Sequence, residues 1–318
     1  MTKSINQILP REINSDVAGV LSSFSDLIDE VVNYGTHILK WIVETPSGGD
    51  EQMPLMMFFR EMLEKADSIS ILVRNSSIDP SKGILRSLFE LHLYISYLTE
   101  KYFNDRSMAF LVWHAKSKIQ TNRAFQRGNQ EFKNFQKQIE NDNSFSDSDL
   151  LENLPSPNKI IENLNSLLKR PEYQKALKEY EKTKTKIKNP SWYSLFDGPR
   201  NIDQLAKHLD MPALYEIIYR SWSGSVHNTD VINGKIVRSQ KTENNIGDKV
   251  AADIIQLRLP KDAQTVSAYT LILMIKTYNV IIDSKITDKK VELKKWYLTI
   301  RDQIFKVTNK EQLIKIEY

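Results

Sequence analysis

Arg220, Ser223, Gly224 and His227 stand at i, i+3, i+4 and i+7, so a regular helix would gather them into one stripe. Such a stripe presents a guanidinium, a hydroxyl, bare backbone and an imidazole side by side. Arginine grips phosphate oxygens through paired hydrogen bonds, and histidine exchanges a proton near neutral pH. Together they suit metal-independent RNA cleavage, in which a ribose 2′-hydroxyl attacks the adjacent phosphorus. His227 would move the proton and Arg220 would stabilise the charge building on the phosphate. A glycine inside a helix costs about 1 kcal/mol relative to alanine, so Gly224 points to a close approach there. The same residues also read as small side chains that let helices pack tightly, with His227 capping a helix end before the turn at Asn228.

A second pair of charged residues falls where charge is costly. Arg86 and Glu90 lie four apart on a stretch, 80–102, that is apolar nearly all round. Buried charges must be paired, so these two are either a structural ion pair fixing helix register or part of a polar pocket between helices. His92 falls on another face and is expected to be a satisfied core or interface histidine. The lysine-rich run 169–188 offers a basic arm to RNA, but glutamates interleave it, as on an ordinary solvated helix face.

These residues must be positioned by helices. Only 10 Gly and 11 Pro interrupt 318 residues, and the long intervals repeat apolar residues near the helical period. That pattern predicts helices over about 16–43, 53–75, 80–102, 106–127, 201–209, 212–227, 262–283 and 291–307, with one short strand-like piece at 253–260. The all-apolar 80–102 helix should be the centre of the fold. Composition shifts at 128–189, which reads as a helical insertion into a single α-helical domain, with the motif-bearing core at 55–231. The fold class expected is all-α.

Several function classes fall away. With no cysteine there is no disulfide frame, thiolate nucleophile or Cys-held metal. No Glu-x-x-His pair occurs, which disfavours a di-iron bundle, and no metal or cofactor is expected. The first ten residues lack a signal-peptide pattern, and the apolar windows 84–98 and 269–282 fall short of a membrane span, so a cytoplasmic location without membrane contact is expected. A net charge of +4 names no nucleic-acid partner.

Arg220 and His227 resemble the Arg-x(4–6)-His motif of the HEPN superfamily, all-α bundles that include many metal-independent ribonucleases; Arg86 and His92 match the spacing as well. More closely, the chain resembles a bacterial family of unknown function. Its pattern is Arg-x-x-x-Glu on a central apolar helix, here Arg86 to Glu90, then Tyr-x-x-x-Ser-x-x-x-His, here Tyr219, Ser223 and His227. The resemblance implies a HEPN-like helical bundle and catalysis by Arg220 and His227. Around them it implies a supporting pocket of Arg86, Glu90, Tyr219, Ser223 and Asn228, with Glu90 steadying the motif arginine. It also implies a homo-oligomeric effector of phage-defence or toxin–antitoxin type, with RNA as substrate and an antitoxin or other partner protein. Against the usual HEPN pattern, Ser221 follows Arg220 where Asn, Asp or His is common. The alternative is a non-enzymatic helical module that binds a partner protein or a nucleotide.

Overall fold

The computed structural model describes residues 13–45, 49–145, 155–226 and 258–309. Within them every regular element is helical, so the fold is all-α. The chain forms two compact units. The first takes in Met1–Ser47, Leu55–Glu100 and Ala206–Tyr318, the second Gly48–Pro54 and Lys101–Leu205.

Four long helices carry most of the first unit's core: α1 (Ser15–Glu44), α2 (Met53–Arg74), α3 (Ile78–Glu100) and α9 (Ala263–Lys285), closed by α10 (Lys290–Thr308). α3 and α9 pack along each other more extensively than any other two, and α1 and α10 also pack on α9. α3 buries Leu85, Leu88, Phe89, Leu91, Leu93, Ile95, Tyr97 and Leu98 on different faces, as its all-round apolar sequence requires. α9 does the same with Val266, Leu271, Leu273, Met274, Tyr278, Ile281 and Ile282.

One expectation is corrected here. α9 has 23 residues and is long and apolar enough to cross a membrane. The window 269–282 looked too short because the helix runs on to Ala263 and Lys285. α1, α3 and α10 pack against it, so its apolar character has a use inside the bundle.

Polar contacts fix how α1 meets its neighbours. Ser25 and Ser70 each donate a hydroxyl to the other's carbonyl at 3.2 Å, which draws α1 against α2. Arg74 on α2 reaches Asp26 and Asp29 on α1 at 2.9 and 2.6 Å. Trp296 on α10 stacks on Tyr34 with ring centroids 3.8 Å apart, and its indole N–H donates to Glu30 at 2.8 Å.

Gly35 marks the closest approach on α1. A Cβ there would overlap the ends of the Leu63 and Tyr278 side chains, and the Tyr278 hydroxyl is already held by the Val31 carbonyl at 2.6 Å. Gly35→Ala should therefore destabilise the unit by about 1–3 kcal/mol, as overpacking generally does. Urea unfolding of the variant beside wild type checks this, and an unchanged midpoint would show that Leu63 and Tyr278 yield without strain.

The second unit contains α4 (Phe103–Arg123), α5 (Gln130–Glu140), α6 (Asn158–Leu168) and α7 (Gln174–Lys186). Its core joins Val112, Ala115 and Ile119 of α4 to Ile161 and Leu168 of α6 and Tyr173, Ala176 and Tyr180 around α7. The stretch 128–189 lies wholly within this unit, which also takes in α4 and the turn at Trp192–Ser194. α7 is the lysine-rich helix, and several of its charges meet local partners. Lys175 pairs with Asp105 at 2.6 Å, Lys182 with Glu179 at 3.1 Å, and Glu181 accepts from Lys116 at 2.6 Å. The chain re-enters the first unit through α8 (Ile202–His208), where His208 meets Glu100 at 3.1 Å. Of the strand-like piece, residues 253–257 lie outside the described residues, and 258–260 form no regular element.

Candidate functional site

The stretch expected as one regular helix from 212 to about 227 is three short pieces. A single α-turn at Pro212–Leu214 leads into a π-helix at Tyr215–Arg220; two turn residues follow, then α-helix at Ser223–Val226. The Ser221 N–H donates to the Glu216 carbonyl, five residues back, at 3.0 Å. Bonding to the fifth residue widens each turn relative to an α-helix, so residues 220, 223 and 224 no longer fall on one regular stripe.

Arg220 consequently does not join the charged pair on α3. Its side chain is 71% exposed and pairs with Glu216 one turn back at 3.2 Å. Ser223 and Gly224 are half-buried. His227 and Asn228, the remaining residues of the expected stripe and its flank, lie outside the described residues.

Tyr219 takes the place expected of Arg220. Its ring lies over the guanidinium of Arg86, with Arg86 Cζ 3.8 Å from the ring centroid, a cation–π arrangement. The Tyr219 hydroxyl hydrogen-bonds the Glu90 carboxylate. On the same π segment Tyr215 stacks with Tyr219, ring centroids 5.2 Å apart and planes 18° from parallel. Two residues beyond Arg220, Trp222 meets Tyr269 of α9 edge to face. Ile218 is the buried anchor of the segment.

Arg86 and Glu90 are both half-buried, one helical turn apart on α3. Burial pushes the Glu90 carboxyl above its usual range, while the Tyr219 hydrogen bond and the charges of Arg86 and Lys65 pull the other way. Burial also raises the Tyr219 phenol, with Arg86 opposing it. The expectation that Glu90 steadies Arg220 is therefore corrected: Glu90 holds Tyr219, the residue before it, because the π turn points that residue at α3. Arg86 is the unusual member. Its Nε and Nη1 are buried and have no hydrogen-bond partner. Most buried donors are paired, so two unpaired ones on a single guanidinium need a reason.

His92 is not part of this cluster, so the Arg86–His92 spacing does not bring the two together at a site. It is fully buried, and its Nδ1 meets the Thr277 hydroxyl of α9 at 2.8 Å. Burial, with a smaller push from Lys276, drives its pKa down to about 3. Tyr215 and Lys65 are the site residues that sequence reasoning missed. Tyr215 precedes Tyr219 by four, a spacing that stacks rings on a helix and was legible in principle.

The class defined by fold and site is an all-α protein with an arginine–glutamate pair on a central helix, capped by a tyrosine from a π-helical segment. Residues 52–244 match the model of DUF5677, a family of unknown function, and the chain belongs to that family. The matched range includes Arg86, Glu90, Tyr219, Ser223, His227 and Asn228, and it spans residues 128–189. No curated protein and no solved structure matches the chain.

Proposed function

We propose that the protein is a HEPN-like, metal-independent ribonuclease effector, cytoplasmic and of phage-defence or toxin–antitoxin type, with Arg86 rather than Arg220 gripping the scissile phosphate. The observation that carries this reading is the pair of unpartnered guanidinium donors on Arg86, beside a carboxylate and a phenol that are already linked. A phosphodiester supplies the acceptor oxygens such donors need. In the reaction the ribose 2′-oxygen bonds to phosphorus and the bond from phosphorus to the 5′-oxygen breaks. His227 serves in one of the two proton transfers, taking the proton from the 2′-hydroxyl or giving one to the departing 5′-oxygen, and water serves in the other, leaving a 2′,3′-cyclic phosphate and a 5′-hydroxyl. Arg220, exposed beside Glu216, is an outer contact to RNA.

The test is to incubate the purified protein with total RNA, with and without EDTA, and to analyse the product ends. Cleavage that survives the chelator and leaves 2′,3′-cyclic phosphates is expected. Cleavage that needs a divalent ion, or none at all, overturns the reading.

A second reading, a helical module that binds a partner chain, draws support from α10. Val291, Leu298 and Phe305 are all exposed there, and their seven-residue spacing makes one apolar stripe, as at a helix–helix interface. An inactive protein that associates with a partner, and loses it on Leu298→Lys, favours this reading.

A further inference from the structure

We infer that Tyr219 is a lid over Arg86, and that the π segment holding it must lift for a phosphodiester to reach the guanidinium. This rests on the reading of Arg86 as the phosphate-gripping residue and adds how access to it is controlled.

The donors left without partners on Arg86 are also closed off, since both atoms are buried. An anion cannot bond to them while the neighbours stay as they are. The neighbour most able to move is the Tyr219 ring. It lies against the guanidinium, it is only half-buried, and its hydroxyl is hydrogen-bonded to Glu90 and to Arg86 itself. It belongs to a six-residue segment, Tyr215–Arg220, that packs on α3. Ile218 is the segment's buried residue, and turn residues stand on its C-terminal side at 221–222. Tyr215 stacks on Tyr219 from within the same segment, so the two rings can leave together without breaking that contact. π-Helical turns are rare and cluster at functional sites, and here the wide turn is what aims Tyr219 at α3. Rewinding toward α-helical geometry would turn that ring away.

The chemistry of the closed state also fits a lid. The cationic face of Arg86 rests on an aromatic ring, and Glu90 supplies negative charge nearby, so the site is stable without an anion. An incoming phosphodiester competes with both. The ligand class is therefore an anion with several acceptor oxygens, strong enough to replace a ring and a hydrogen-bonded carboxylate.

The probe is a fluorescent 2′-O-methyl RNA oligonucleotide, which binds but cannot be cleaved through a 2′-hydroxyl, followed by anisotropy. Tyr219→Phe keeps the ring over Arg86 and removes the tie to Glu90, so it should bind a few-fold more tightly than wild type. Tyr219→Ala removes the lid and should bind about tenfold more tightly, the scale set by losing a partly buried cation–π contact. Arg86→Ala should bind weakly, and the Tyr219→Ala, Arg86→Ala double variant should bind no better than Arg86→Ala. Circular dichroism checks that each variant is folded; if Tyr219→Ala fails, Tyr219→Phe alone decides. Unchanged or weaker binding by the tyrosine variants, with Arg86→Ala still weakened, overturns the lid and leaves the role of Arg86 standing. Wild-type affinity in Arg86→Ala overturns both.

Discussion

His227→Ala is expected to lower RNA cleavage by about 10²–10⁴-fold while leaving the protein folded, because a positioned proton donor or acceptor is typically worth that much. Alanine is the residue most favourable to helix, so the substitution brings no propensity cost if the neighbouring turn continues through it. The loss should appear in the rate at saturating RNA, since His227 is assigned to the chemical step and not to binding. RNA affinity, read with the uncleavable oligonucleotide, should stay within a few-fold of wild type. Equal cleavage by wild type and His227→Ala would point to a contaminating nuclease and remove the enzymatic reading. Equal loss of affinity and rate would place His227 among the binding contacts instead.

Acid should destabilise the first unit, and His92 is the residue that makes it so. Burial, with Lys276 nearby, holds its folded pKa at about 3, against 6.5 for the exposed group. A base whose folded pKa is depressed contributes its full stability above the unfolded value. Below it the unfolded chain takes up a proton that the native protein refuses, so stability falls as pH drops from 6.5 toward 3. At about 1.4 kcal/mol per pH unit, the loss should reach about 2–3 kcal/mol by pH 4.5 and approach about 5 kcal/mol near pH 3. Carboxylates elsewhere add their own acid dependence, so the comparison is with His92→Gln, which cannot titrate. That variant should be less stable at pH 7, where the bond to Thr277 is disturbed, yet show a flatter decline between pH 7 and 4.5 in urea unfolding. Parallel declines in the two proteins would mean that His92 is hydrated in the native state.

The long helices were legible because their signal is redundant. Dozens of apolar residues at the helical period, with few breakers between them, place α1 within a residue or so of 16–43 and α10 within one of 291–307. The burial of His92 and the half-burial of Arg86 and Glu90 were legible in the same periodicity, because a helix apolar nearly all round leaves few exposed positions for its polar residues; the two buried, unpartnered donors of Arg86 were not. Partners were harder to read. The apolar stripe of α4 says that Val112, Ala115 and Ile119 are covered, but not that α6 and α7 cover them, so its place in the second unit was not evident. The π turn was least legible. It is a choice of backbone register at Tyr215–Arg220, and a sequence that reads as continuous helix announces no such choice. That single register decides which of two neighbours, Tyr219 or Arg220, meets α3, and it moves the candidate phosphate contact from Arg220 to Arg86.

Cleavage of one RNA substrate by Arg86→Lys and Arg220→Lys, measured side by side in EDTA with melting curves for both, tests the central claim most directly. Lysine keeps the charge but cannot reproduce a guanidinium's planar set of donors, so each variant asks whether that geometry is used. The Arg220–Glu216 pair is solvent-exposed, and such pairs contribute little, so Arg220→Lys should melt and cleave much as wild type does. Arg86→Lys should fold and yet lose about 10²–10³-fold in cleavage, the usual effect of removing a charge-stabilising donor. A disabled Arg220→Lys beside an active Arg86→Lys, or no cleavage by wild type, would contradict the assignment.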